Sequence, residues 1–182
     1  NEDTTPLNSR LPYAIVKNVG EAFFRSYQKE FGLDFTIFRF FNTYGPKQST
    51  DFVVTKFIDL ALKNQDIPIY GDGHQTRTFL YIDDNVDATV KVFEHGSSLN
   101  EVVNIGNALE IRIVDLARKI INITGSSSSS VHLDPLKEGD MTRRQPDNSK
   151  MLHILNRRLV NIDEGIERIL NIKYKLDSKM TV

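Results

Sequence analysis

The chain has 182 residues, 23 basic against 24 acidic side chains and a net charge of −1. That balance gives no reason to expect nucleic acid or an anionic membrane as partner, although a local basic pocket for a phosphorylated ligand remains open. Cysteine is absent, which excludes a disulfide framework and a thiolate zinc site, and His74, His95, His132 and His153 lack the spacing of a metal site.

No apolar run approaches the roughly 20 residues that a membrane helix needs. Residues 1 to 12 are polar, with a turn-like Thr5-Pro6 and no signal-peptide pattern, so the expected setting is reducing and cytoplasmic. The chain opens on Asn1-Glu2-Asp3 without an initiator Met, which suggests a piece of a longer protein.

Pro12 stands where helices favour a first proline, and Ser9 can cap nearby. Val16, Val19, Phe23, Tyr27 and Phe31 then recur at three and four, which predicts a long amphipathic helix ending near Gly32. Phe35 to Phe41 reads as a buried strand and Asn42 to Thr50 as a turn-rich loop. A second helix is expected from about Phe52 to Lys63, then a short strand from Ile67 to Tyr70 and a Gly71-Asp72-Gly73 turn. Phe79 to Ile82 reads as a strand, with Asp83 or Asp84 capping a helix to about Phe93. Val102 to Ile105 is a strand, Ile113 to Ile123 a helix closed by Gly125, and Ser126 to Ser130 a solvated loop. A strand at Val131 to Leu133 and helices near Ser149 to Leu155 and Ile162 to Leu170 complete the chain. Strands alternating with helices predict an α/β fold, with too few early units for a complete doubly wound sheet.

Four segments bear polar groups suited to chemistry. In Tyr13-Ala-Ile-Val-Lys17 the phenol and the amine share one helix face. An ammonium beside a phenol favours the phenolate, which can take a proton from a sugar hydroxyl while a cofactor takes the hydride. Taken alone, such a pair is more often an exposed helix pair without a role. Arg39-Phe40-Phe41-Asn42-Thr43-Tyr44-Gly45-Pro46 ends a strand in polar and turn residues, at the edge where open α/β sheets bind ligands; the alternative is a strand exit chosen for backbone geometry. Tyr70 through Phe79 sets Arg77 after a glycine-flanked turn, where its fork can hold a phosphate or stand solvated on a hairpin. Glu138 through Asp147 carries Arg143-Arg144, a diphosphate clamp or a surface charge cluster.

Taken together, in this order and with Tyr81-Ile82-Asp83-Asp84 and Val103-Asn104-Ile105-Gly106 between them, these segments resemble the nucleotide-sugar branch of the extended short-chain dehydrogenase/reductases. The resemblance covers residues 1 to about 172 and implies the C-terminal part of a Rossmann-like fold with a small α/β substrate-binding domain. Residues 1–48 would end the NAD-binding domain. Residues 49–182 would be mainly the nucleotide-sugar domain, with strands and helices returning to the Rossmann part.

The implied roles are Tyr13 as base, Lys17 as its partner at the nicotinamide ribose, and Phe40 as a further NAD contact. Asn42, Val53, Val54, Tyr70, Arg77, Asp140 and Arg144 would bind the substrate, and the helix from Tyr13 would serve a homodimer. The implied activity is that of an NAD-dependent epimerase or decarboxylase of a UDP-sugar, working through a 4-keto sugar. A dTDP-glucose 4,6-dehydratase is the next reading, and a catalytically incompetent nucleotide-sugar-binding module another. The family's Gly-x-x-Gly-x-x-Gly turn, which receives the NAD pyrophosphate at a helix N-terminus, does not occur in the 182 residues. The residues that decide the reaction type would likewise precede Asn1, so the fragment alone is expected to be inactive.

Overall fold

The computed structural model describes residues 12–96, 98–133 and 145–174. Six α-helices and eight short strands alternate through them. Helix α1 (Pro12–Phe31) begins on its proline. It ends at Gly32, whose φ of 68° takes the left-handed region that glycine enters without a Cβ penalty, and whose N–H closes on Gln28 O. The chain returns in β1 (Thr36–Phe40), which pairs in parallel with β6 (Glu101–Ile105), Thr36 opposite Glu101 and Phe40 opposite Ile105. Sequence residues beyond 49 thus return to the strand that follows α1.

The expectation of a buried strand fails for half of β1. Ile37 is buried, but Arg39 and Phe40 are exposed, because no described residue pairs along the other edge or covers the outer end. The apolar face of α1 is open for the same reason: Val16, Val19, Phe23, Tyr27 and Phe31 are all at least 48% exposed. The helix is held to the strand by two contacts. Arg39 donates from Nε and Nη2 to the two Glu21 oxygens, at 2.7 Å each, and the Phe24 and Phe35 rings lie 6.1 Å apart. These contacts run α1 antiparallel to β1, so the Tyr13 end of the helix lies toward the carboxyl end of the strand.

The hydrogen bonds from Arg39 hold the Glu21 carboxyl below the ordinary carboxylate range. A lowered folded value stabilises above the unfolded value, and the contribution is lost as pH falls through the folded one. Acidification below about pH 4 is therefore expected to loosen α1 before the rest of the fold. Hydrogen exchange of the α1 amides checks this, and equal protection at pH 3.5 and 7 contradicts it.

The larger core gathers α2 (Val53–Leu62), β3 (Ile67–Tyr70), α4 (Ile113–Thr124) and α6 (Ile162–Ile169) around Ile58, Ile67, Ile69, Leu116, Ile120 and Ile166, each fully buried. A smaller core joins β5 (Leu80–Tyr81), α3 (Ile82–His95), β6 and α5 (Ser149–Leu155) through Leu80, Ala88, Val103, Met151 and Leu155. β3 pairs in parallel with β8 (Ser130–Leu133), and β2 (Thr43–Tyr44) with β5. After α6 the chain widens into a π-helical turn, Leu170–Tyr174.

Three sequence expectations need correction. The strand predicted at Phe79 to Ile82 shrinks to two residues, because α3 already starts at Ile82. Neither Asp83 nor Asp84 caps that helix. The cap position is Tyr81, and Asp84 is instead buried, accepting from Arg157 Nη1 at 2.6 Å and Val160 N at 2.8 Å. The serine run is not a free solvated loop: Ser126 Oγ donates to Ala61 O at 2.7 Å, and Ser127 N to Asn64 Oδ1 at 3.0 Å, tying it to the end of α2. β4 (Thr76–Thr78) and β7 (Glu110–Arg112) form an antiparallel pair that the sequence reading missed.

Candidate functional site

Parallel strands offer ligands the crevice beyond their carboxyl ends, where strands stop and loops begin. β1 and β6 both end at such a crevice. Phe41 N donates to Ile105 O at 2.9 Å, extending the pairing by one residue. The β6 exit is crowded, since a Cβ on Gly106 would come within 2.8 Å of Phe41 Cβ and 3.0 Å of Pro146 Cγ. Asn148 Nδ2 holds the Gly106 carbonyl at 2.8 Å, and Gln145 Nε2 holds that of Ala108 at the same distance.

A cleft of about 340 Å³ opens beside the β1 exit, lined by Phe40, Asn42, Thr43, Tyr44, Val53 and Val54 among others. Three features give it chemistry. Asn42 is anchored through its carbonyl, which accepts from Leu80 N at 3.1 Å, while its side-chain Nδ2 is buried without a hydrogen-bond partner among the described residues. Such an unmet donor costs about 1–3 kcal/mol. The N-terminus of α2 faces the same space. Its cap position is Phe52, whose side chain accepts nothing, so the first N–H groups of α2 and the helix dipole remain available to an anion. The rim is aromatic: Phe40 and Phe52 are 57% and 58% exposed, surfaces on which a flat ring stacks.

The floor of the cleft is rigid. Thr43 O accepts from Gln48 Nε2 at 2.7 Å, Thr43 Oγ1 from Asn85 Nδ2 at 2.8 Å, and Gln48 Oε1 from Thr55 Oγ1 at 2.9 Å. Burial pushes the Tyr44 hydroxyl far above the usual phenol value, so it stays protonated and acts as a donor.

Of the sequence-predicted site residues, Phe40, Asn42, Val53 and Val54 come together on this one cleft. Tyr13 and Lys17 stand on the exposed end of α1, with Lys17 Nζ 5.3 Å from the Tyr13 ring centroid. They share the helix stripe of Glu21, which grips Arg39 next to Phe40. Tyr70 and Arg77 do not border the cleft: Tyr70 ends β3, and Arg77 lies in β4, donating from Nη1 to Thr76 O at 2.8 Å. Asp140 and Arg144 lie outside the described residues. Phe41, Thr43, Tyr44, Gln48, Phe52 and Phe79 complete the cleft and were not singled out as ligands. All six flank or interleave the residues named earlier, so the strand exit and the family resemblance carried the signal at segment level.

A parallel pair ending in a polar crevice, flanked by a helix N-terminus, fits the Rossmann-like fold of the solved structures it matches. The chain belongs to the NAD dependent epimerase/dehydratase family, whose model matches residues 1–106. It is 33% identical over 177 residues to dTDP-D-glucose 4,6-dehydratase of Homo sapiens, covering 93% of this chain and 50% of that protein. It is also 33% identical over 169 residues to UDP-glucuronic acid decarboxylase 1 of Xenopus tropicalis, covering 91% and 39%. The crystal structure of UDP-glucuronic acid 4-epimerase from Bacillus cereus, in complex with UDP-glucuronic acid and NAD, matches with a TM-score of 0.82 at 31% identity, over 96% of this chain and 56% of that chain. The chain spans about half the length or less of these relatives.

The residues present fit the nicotinamide end of NAD: a phenol and an ammonium on one helix stripe, and an exposed ring at a strand's carboxyl end. No helix of the described residues is long and apolar enough to cross a membrane.

Proposed function

We propose that the cleft binds the diphosphate of a UDP- or dTDP-linked sugar, and that the chain serves an NAD-dependent epimerase or decarboxylase. The carrying observation is the buried, unpartnered Asn42 Nδ2 beside the uncapped N-terminus of α2. Asn42 donates to a phosphate oxygen and the Val53 and Val54 N–H groups to its neighbours, an arrangement that suits a polyanion and no neutral ligand equally. Phe40 and Phe52 offer faces to the rings at either side.

Tyr13 takes the proton of a sugar hydroxyl, with the Lys17 ammonium 5.3 Å from its ring. Bound NAD supplies a reversible hydride acceptor. Residues 1–48 belong to the cofactor side and 49–182 mainly to the substrate side. The exposed apolar stripe from Val16 to Phe31 supports a homodimer contact, since faces of that size rarely stay in water. Relatives named for epimerisation, dehydration and decarboxylation support the shared hydroxyl-oxidising step more than any one product.

A thermal-shift series with UDP, dTDP, GDP and CDP at equal concentration tests the reading. At 100 times its dissociation constant a ligand stabilises by about 2.7 kcal/mol, so UDP or dTDP is expected to raise the midpoint by several degrees. Equal response to all four, or to none, contradicts it.

A further inference from the structure

Glycine inside a helix costs about 1 kcal/mol relative to alanine, so its presence in a short buried helix calls for a packing reason. Gly165 stands in the middle of α6, buried against the larger core. A Cβ there would overlap the Tyr44 hydroxyl and come within 2.7 Å of Cζ and 2.9 Å of Cε2. The Tyr44 ring therefore occupies the notch that the missing side chain leaves. It is only 1% exposed, packs edge-on against Tyr81 at 5.4 Å and Phe79 at 6.3 Å, and directs its hydroxyl to Asn161 O at the start of α6.

Tyr44 is also the second residue after Asn42 and lines the nucleotide cleft. Between them Thr43 is pinned by Gln48 and Asn85. Only one residue thus separates the side chain seated in α6 from the unpartnered amide, and the Tyr44 ring packs on Phe79, itself a cleft residue, so a displacement of the ring reaches the cleft lining. Helix α6 is in turn keyed to both sides of the molecule, by Lys119–Asp163 at 2.8 Å to α4 and by Arg168–Asp83 at 3.1 Å to α3.

We propose that Gly165 is a positioning residue for the cleft: by seating the Tyr44 ring in α6 it sets the strand exit that presents the Asn42 amide. The claim rests on the assignment of the cleft to a nucleotide diphosphate only for its binding consequence. The geometric consequence stands apart from that assignment.

The test uses the 182-residue chain labelled with ¹⁵N, as Gly165→Ala, Tyr44→Phe and the double variant, each checked for folding by circular dichroism. In Gly165→Ala without ligand, the Asn42 side-chain amide and the backbone amides of 42–44 are expected to shift. Adding Tyr44→Phe, which removes the atom most strongly overlapped, is expected to move them part of the way back. UDP affinity is expected to fall about tenfold in Gly165→Ala, the scale of one hydrogen bond to a charged group, and to recover in part in the double variant. Tyr44→Phe in the native background brings no gain in affinity.

Resonances of 42–44 that stay in place while those of α6 move overturn the proposal, as does a double variant shifted further than Gly165→Ala. If Gly165→Ala does not fold, Gly165→Ser in the Tyr44→Leu background, where the notch is empty, is expected to fold, and failure of that pair too overturns the proposal. A native chain that ignores UDP while the shifts follow this pattern contradicts the nucleotide assignment and leaves the positioning role standing.

Discussion

Replacing Tyr13 by Phe in the active, NAD-loaded enzyme is expected to lower turnover by about a thousandfold, within the range for loss of a positioned proton acceptor. Nucleotide affinity is expected to stay within about twofold, because the variant removes one oxygen at the exposed end of α1 and leaves the Asn42 cleft intact. The Lys17 ammonium stays over the ring at this position, so the phenylalanine keeps the cation–ring contact and loses only the acid-base group. Steady-state kinetics with a UDP- or dTDP-sugar, beside a separate binding measurement, divides the two effects. A variant that retains most of its turnover removes Tyr13 from the chemistry; one that loses affinity and turnover equally makes the residue a binding contact.

Replacing Asp84 by Ala is expected to destabilise the chain by about 3 kcal/mol, the cost of breaking a buried ion pair and stranding its partners. Asp84 is fully buried and holds two groups from the connection between α5 and α6, the Arg157 guanidinium and the Val160 N–H. Arg157 keeps Asp87, with 2.7 Å from Nη2 to Oδ2, and is 38% exposed, which places the loss at the lower end of the range for buried pairs. Val160 N keeps nothing in its place. Asp84→Asn retains an acceptor for that N–H and is expected to cost roughly half as much, since one of the two partners remains served. Urea unfolding followed by circular dichroism reads both, and a loss below about 0.5 kcal/mol in Asp84→Ala contradicts the assignment of this residue as the lock between α3 and the α5–α6 connection.

Asp84 also shows where sequence reasoning stops. Acidic residues at a helix start are favoured both as caps and through the dipole, and Asp83-Asp84 offers that pattern. What the local pattern does not contain is Arg157, 73 residues away, which turns a surface role into a buried one. The same limit explains β4 and β7. Three residues carry too little alternation to stand out, and their pairing joins segments 34 residues apart. By contrast α1, α2 and α4 have ten or more residues each, with apolar positions at helical spacing, and their periodicity alone outlines them.

The site was legible by segment. The strand exit at Asn42 marked one edge of the cleft, because strand ends leave backbone groups without partners, while Phe40, Val53 and Val54 came from the family resemblance. Tyr70 and Arg77 do not line the cleft: Tyr70 ends β3 in its pairing with β8, and Arg77 sits in β4 opposite Ile111 of β7, contacts that no local pattern contains. Gly165 gave no signal at all in one dimension. A lone glycine in a helical pattern reads as a small loss of propensity, and only the Tyr44 ring lying against it supplies a reason.

The fold also holds a second groove, of about 500 Å³, between the β4–β7 pair and α4, lined by Arg112, Arg118 and Lys119 as well as Glu110 and Asp115. Its cations are engaged by acids, Arg112 and Arg118 with Asp115 and Lys119 with Asp163, which makes it a poorer seat for a diphosphate than an unpartnered amide at a helix N-terminus.

The most direct measurement is therefore a UDP titration of the ¹⁵N-labelled chain, with the responding resonances assigned. The largest shifts are expected at the Asn42 side-chain amide and at the backbone amides of Val53, Val54 and Thr55, all with one common dissociation constant. Shifts centred on Arg112, Arg118 and Lys119, with Asn42 unmoved, would place the anion in the other groove and contradict the assignment of the cleft.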